Sequence, residues 1–220
     1  MNPDKFFNIK EIYYTIQGES SYSGFPCVML RFAECNIRCN YCDTPEALTA
    51  QDGQLWEQEK LLEAIYSYPC KLIEFTGGEP LVQKGLPELS RILISEGFTI
   101  LIESNGTYDI SLFPKEVIFI LDVKCPDSGA GNTFLLANLT HISMKDELKY
   151  VLSSYDDYKW SVEFIKHHNL LKKCSHIFSP VWGRVEPRSL AEWMLEDGLE
   201  NIRMQIQLHK IIWGPKAKGV

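Results

Sequence analysis

No stretch of this chain approaches the roughly eighteen uninterrupted apolar residues of a membrane-spanning helix, so no transmembrane segment is expected. The N-terminal MNPDKFFNIKEIYY has neither an apolar signal core nor a small-residue cleavage site, and a cytosolic protein is expected from it. Basic charge is also in short supply: 22 Lys and Arg face 29 Asp and Glu, a formal charge of -7. Sequence-independent binding to nucleic acid comes mainly from Lys and Arg displacing counterions, so direct nucleic-acid binding is not expected and a small-molecule substrate is. Glycine and proline are not enriched and no repeat is visible, which leaves a single globular domain over residues 1–220. A paired disulfide framework is missing too. The seven cysteines fall at 27, 35, 39, 42, 70, 125 and 174, an odd number with three crowded into eight residues.

What is present alternates between short β-branched or aromatic runs and helical patterns, the signature of a mainly parallel sheet with crossover connections. The runs at 9–16, 28–32, 71–75, 98–102, 117–123, 148–152, 176–178 and 202–208 are expected to be strands. VIFILDV at 117–123 is almost wholly apolar, as a strand covered on both faces should be. Periods near 3.6 predict helices around Leu61, Leu62, Ile65 and Tyr66, around Leu86, Leu89 and Leu93, over 155–168, and from Pro187 through Leu190, Trp193 and Met194. Segments 105–116 and 124–146 are rich in Gly, Pro, Asp and Asn and read as loops with short helical turns at most. The expected fold is α/β, a partial barrel of about six core strands with few helices outside.

The segment RFAECNIRCNYCDT places thiols as C-x3-C-x2-C at Cys35, Cys39 and Cys42, directly after a predicted strand. Three thiolates on one loop can hold three irons of a 4Fe–4S cubane and leave the fourth open to a cofactor, unlike the four-cysteine set of electron-transfer clusters. Structural zinc is the main competing reading, but it needs a fourth ligand. No second C-x2-C occurs, and His141, His167, His168, His176 and His209 do not form a finger's spaced pair. Ordinary buried thiols are the third reading, set against the polar Asn36, Arg38 and Asn40 in the same segment. Cys27, Cys70, Cys125 and Cys174 have no motif partners and read as small core residues. A second segment, LIEFTGGEP, runs a strand into Gly77-Gly78-Glu79-Pro80, where glycines would let a ligand approach the backbone and Glu79 would accept from an amine. Taken alone it reads as a plain strand-to-helix turn.

Together, C-x3-C-x2-C with Tyr41 before its last cysteine and a following strand plus GGEP resemble the radical S-adenosylmethionine superfamily. Within it, EIYYTIQGESSYSGFPCVMLRFAECNIRCNYCDT, FTGGEPLVQ, IESNGT, DVKCP, DELKYV and QLHKIIWGP are similar, in that order, to the 7-carboxy-7-deazaguanine synthases of queuosine biosynthesis. The resemblance implies a lyase-like conversion of 6-carboxy-5,6,7,8-tetrahydropterin to the deazapurine with release of ammonia. It implies a 4Fe–4S cluster on Cys35, Cys39 and Cys42, S-adenosylmethionine and Mg²⁺, an electron donor such as flavodoxin or ferredoxin, and a homodimer. The nearest rival enzyme is a glycyl-radical activase; the rival of another class is a zinc-stabilised binding module.

Carried over by matched position, Ile16, Gln17, Gly18 and Glu19 would hold the pterin, with Arg31 pairing its carboxylate, Thr76 touching substrate and His209 at the far edge. Thr44 would place its hydroxyl on Mg²⁺. Tyr41, Cys42, Asp43, Gly78, Glu79, Asp122, Val123, Lys124, Ser179, Pro180, Val181 and Trp182 would line the cofactor site, bordered by Glu103 and Asn105. Read without the resemblance, TIQGES is a polar loop, Arg31 a surface ion pair, Thr44 a helix cap, Lys124 an exposed lysine and His209 a structural residue at a strand end. The stretch GPKAKGV continues beyond the point where some relatives end against substrate, so no terminal contact is carried over.

Overall fold

The structure, a computed structural model, describes residues 3–219. Its strands are β1 (Phe6–Ile16), β2 (Pro26–Phe32), β3 (Gln54–Glu57), β4 (Leu72–Gly77), β5 (Thr99–Ser104), β6 (Ile118–Asp122), β7 (Glu147–Leu152), β8 (Ser175–Pro180) and β9 (Arg203–Met204). The helices are α1 (Gln58–Tyr66), α2 (Leu86–Ser95), α3 (Tyr155–His167), α4 (Pro187–Glu196) and α5 (Leu208–Ile212). All nine strands form one sheet in the order β3-β1-β2-β4-β5-β6-β7-β8-β9. β1 runs antiparallel to β2 and β3, and every pairing from β2 through β9 is parallel. The sheet is unclosed, with the six longer parallel strands β2 and β4 to β8 forming the expected partial barrel.

Each parallel strand splits its residues between two faces. Ile73 and Phe75 of β4, Ile100 and Ile102 of β5, and Leu148, Tyr150 and Leu152 of β7 join one apolar core with Leu61 and Ile65 of α1, Leu86, Leu89 and Leu93 of α2, Tyr158, Val162 and Ile165 of α3, and Leu190 and Met194 of α4. Burying such a Leu or Ile contributes about 1.5–3 kcal/mol. The alternate residues Glu74, Thr76, Glu103 and Lys149 line the cavity instead. The helical stripes thus cover the sheet where their periodicity predicts, except that Tyr66 remains exposed. Of the two predicted loops, 105–116 contains no helical turn and 124–146 only short 3-10 turns, at Pro126–Ser128 and Leu136–Thr140.

Two expectations are corrected. β3 went unread because its four residues are short and mostly exposed at the sheet edge. The predicted strand at 202–208 shrinks to Arg203–Met204, and QLHK opens α5. Gln205 N still donates to Phe178 O of β8 at 2.9 Å, while its side chain turns to the β1–β2 turn: its Oε1 accepts from Ser20 N at 2.6 Å and its Nε2 donates to Ser20 O at 2.8 Å. Leu208 N then donates to Gly18 O at 2.9 Å. The β1–β2 turn and the C-terminal segment therefore meet across the unclosed side of the sheet.

Candidate active site

The parallel strands present their carboxyl ends along one rim of the sheet, which brings distant residues together. Phe32 pairs with Gly77, and the cysteine loop and GGEP turn leave the sheet side by side. Gly78 N donates to Phe32 O at 3.0 Å and Glu79 N to Glu34 O at 2.8 Å, directly before Cys35. A Cβ on Gly78 would lie 2.3 Å from Glu34 O and 2.5 Å from Ala47 O. The close approach that glycine permits here is to the chain's own loop as well as to the cavity.

The polar residues of the loop anchor it. Arg38 donates to the carbonyls of Cys35 and Ile37 at 2.7 and 2.8 Å, Asn40 N to Ser128 O at 2.8 Å, and Arg184 to Asn40 O at 3.1 Å. Cys35, Cys39 and Cys42 are free, partly exposed and line one cavity that no other cysteine lines among the described residues. Burial pushes the Cys35 and Cys39 thiols up from their ordinary range, partly countered at Cys39 by Lys124. Among the described residues no three His, Cys, Asp or Glu side chains converge on a single ion. Three separate thiols around a cavity suit a polynuclear cluster, and their donor chemistry fits iron and sulfide. Cys27, Cys125 and Cys174 are buried as expected, whereas Cys70 is only partly buried.

On the same wall Asp122 Oδ2 accepts from Lys124 Nζ at 2.6 Å, and Asp122 Oδ1 is buried without a partner among the described residues. That open acceptor suits a hydroxyl or amine of S-adenosylmethionine. Lys124, far from being an exposed lysine, is enclosed; burial would lower its pKa, but Asp122 and Tyr41 carry it above the usual range. Tyr41, Asp43, Gly78, Ser104, Asn105, Val181 and Trp182 also face the cavity. Glu79, Val123, Ser179 and Pro180 do not line it. Val123 is fully buried in the apolar core, Ser179 is buried, and Pro180 borders a neighbouring groove. Glu79 is consumed by the chain: its carboxyl accepts from Leu81 N at 3.0 Å, Ser104 Oγ at 2.8 Å and Asn105 N at 2.7 Å. Burial raises its pKa to about 7 against the pull of those donors. Its expected amine contact gives way to a structural role.

Beside it, where Lys149 of β7 pairs in register with Asp122 of β6, lies a polar network. Lys149 Nζ pairs with Glu19 Oε2 at 2.9 Å and with Glu103 Oε1. Burial would discharge Lys149, but Glu103 and Glu19 carry its pKa well above the ordinary value. Burial likewise opposes ionisation of Glu19, and Lys149, His209 and Gln207 outweigh it, holding its pKa down. Gln17 donates through Nε2 to Glu74 and accepts at Oε1 from Glu19 N. Arg31 Nε donates to Glu11 Oε1 at 2.8 Å, Nη2 to Tyr13 Oη at 3.2 Å and Nη1 to Thr44 Oγ1 at 3.4 Å. It is a half-buried ion pair, not a surface one. Asp43 pairs with Lys210 at 3.1 Å; burial raises its pKa, and Lys210 with other cations brings it to about 2. Ile16, Gly18, Thr76 and His209 complete this wall. A Cβ on Gly18 would meet His209 Nδ1 at 2.4 Å, so the histidine seats directly on the turn.

A profile of the radical SAM superfamily matches residues 29–124, the span from β2 to Lys124 that holds the cysteine loop and the GGEP turn. A 7-carboxy-7-deazaguanine synthase of Chlorobaculum tepidum is 41% identical, with all of both chains covered. The chain belongs to the 7-carboxy-7-deazaguanine synthase family. A second synthase, of Koribacter versatilis, is 40% identical over 96% of this chain and 99% of its own. The crystal structure of QueE from Escherichia coli, at 22% identity, shares the fold with a TM-score of 0.76 over 93% of this chain and 95% of its own. As a member of the synthase family the chain is a radical S-adenosylmethionine enzyme, and the activase and zinc-module readings fall away.

The sequence reading missed Glu74, Lys149, Gln207, Lys210, Tyr13 and Glu11 as cavity residues. Two of them had a signal available. Glu74 and Lys149 are charged residues inside otherwise apolar strand runs, a position that only a partner or a cavity supports.

Proposed function

We propose that the chain converts 6-carboxy-5,6,7,8-tetrahydropterin to 7-carboxy-7-deazaguanine with loss of ammonia, the cluster thiols and the Glu74–Lys149 wall facing one shared cavity. That shared cavity is the observation that carries the reading, together with the full-length similarity to named synthases. When bound, the cluster and S-adenosylmethionine would supply the radical chemistry that removes hydrogen from carbon 6 of the pterin.

The remaining work belongs to the protein. Cys35, Cys39 and Cys42 hold the cluster, and Tyr41, Asp43, Gly78, Asp122, Lys124, Val181 and Trp182 surround the cofactor. Arg31, already oriented by Glu11 and Tyr13, has spare N–H groups for the substrate carboxylate, and its planar fork suits that partner. Lys149 holds Glu19 ionised and pairs with Glu103; among the described residues Glu103 Oε2 takes only the Thr76 hydroxyl, at 3.5 Å, leaving capacity for a substrate N–H. Ile16, Gln17, Gly18 and His209 bound the ring's far side. Thr44 is the Mg²⁺ ligand in this reading, supported by the adjacent carboxylate of Asp43 at 3.3 Å and by Glu46 Oε2, buried without a partner among the described residues. The enzyme works in the cytosol as a homodimer and is reduced by a flavodoxin or ferredoxin.

The test is anaerobic turnover of the reconstituted enzyme with the carboxypterin, S-adenosylmethionine and a reductant. Product of the deazapurine's mass with stoichiometric ammonia is expected. 5′-Deoxyadenosine without either would contradict the proposal.

A further inference from the structure

Three carboxylates, Glu19, Glu74 and Glu103, share the inner wall of the cavity with one ammonium, Lys149. Lys149 is bonded to Glu19 and Glu103 and not to Glu74. Among the described residues Glu74 takes a single hydrogen bond from the chain, the neutral Gln17 amide on Oε2. It is 2% exposed, and the groups that face it electrostatically are Glu103 of β5, Glu19 of the β1–β2 turn, Lys149 of β7, Cys27 of β2 and Tyr13 of β1. A buried carboxyl with two carboxylates nearby and no cation of its own is more stable protonated than charged.

Gln17 cannot turn to relieve this arrangement, because its own carbonyl oxygen is held by Glu19 N. The Gln17 amide is thereby spent largely on the protein, and Glu74 beside it also lines the cavity.

We propose that Glu74 is a specificity-determining residue: a neutral carboxylic acid whose paired donor and acceptor recognise a cyclic amide or amidine edge of the bound heterocycle. The assignment rests on the reading of this cavity as the pterin pocket. A carboxylate in the same place would demand two ligand donors, whereas the acid matches one donor and one acceptor. The geometry therefore selects among heterocycles by their hydrogen-bond pattern as well as by the carboxylate that Arg31 holds.

The test uses anaerobically prepared, cluster-loaded enzyme and fluorescence titration with 6-carboxypterin. Glu74→Gln keeps a neutral donor–acceptor pair and should bind within about threefold of wild type, while Glu74→Leu should bind roughly 10–100-fold more weakly, the range of one or two lost hydrogen bonds. Wild-type binding should also weaken at alkaline pH as Glu74 ionises, and Glu74→Gln should lose that weakening, the ligand's own titration being common to both. Should Glu74→Leu fail to fold, Glu74→Gln decides alone. A tenfold loss in Glu74→Gln, or wild-type affinity in a folded Glu74→Leu, overturns the assignment while leaving the pocket intact. Absence of binding to the wild-type enzyme overturns the pocket reading and this assignment with it.

Discussion

The backbone N–H of Asn105 donates to Glu79 Oε2 at 2.7 Å, tying the end of β5 to the GGEP turn. The Asn105 side chain in turn donates to Asn36 Oδ1 at 3.0 Å and lies 3.9 Å from Cys35 Sγ. A fully buried carboxyl thus positions the cysteine loop from behind.

Replacing Glu79 by Ala strands the N–H groups of Leu81 and Asn105. The cost should be about 2–4 kcal/mol, from two buried donors left without acceptors. Iron and sulfide per chain after anaerobic reconstitution should fall alongside the melting temperature. An unchanged iron content would show that the loop does not depend on this anchor.

Glu79 also makes stability depend on pH. Its folded pKa, raised by burial to about 7, exceeds the unfolded value, so the protein loses stability as pH rises from the ordinary glutamate range through neutrality. The loss should be on the order of 2–3 kcal/mol. Urea unfolding of the cluster-free protein across that window measures it, and Glu79→Gln should flatten the slope.

Lys149 is the buried cation that two partly buried carboxylates share. Lys149→Met should destabilise the fold by about 3–5 kcal/mol, the range for removing one partner of a buried ion pair. Product formation should be lost even where S-adenosylmethionine cleavage persists. Lys149→Arg should not restore it, since a planar fork does not replace a compact ammonium held between Glu19 and Glu103. Coupled assays of 5′-deoxyadenosine and deazapurine separate these outcomes.

These predictions draw on residues of unequal legibility. The cysteine loop could be read directly because its chemistry is local: three thiols within eight residues announce a cluster before any fold is known. The parallel strands were legible from apolar runs, and the helices over 86–95 and 155–167 from their stripes. Lys149 and Glu103 stand 46 positions apart, and only the sheet's strand order makes them neighbours. Glu79 was misjudged because GGEP looks open in sequence, while in the fold its side chain turns back toward β5. His209 lies just past the strand expected at 202–208, but strand pairing stops at Met204, the Gln205 side chain ties this segment to Ser20, and the histidine falls in a helix.

The C-terminal segment reaches the cavity, with Gly214, Pro215, Ala217, Lys218 and Gly219 among its lining residues. Lys218 pairs with Glu46 at 2.6 Å beside Arg31 and Thr44. Exposed ion pairs contribute about 0–1 kcal/mol. Lys218→Ala should accordingly raise KM for the pterin up to about fivefold and leave kcat unchanged. A selective fall in kcat would instead place Lys218 in the chemistry.

In the proposed reaction the cavity would present carbon 6 of the pterin to the radical that the cluster and S-adenosylmethionine would supply beside Cys35, Cys39 and Cys42. The direct measurement is mass spectrometry of 5′-deoxyadenosine after anaerobic turnover of pterin carrying deuterium at carbon 6. Deuterium in the nucleoside, appearing in step with the deazapurine and absent in Cys39→Ala, is the predicted result. Deazapurine formed with wholly unlabelled nucleoside, or formed by Cys39→Ala, would contradict the account.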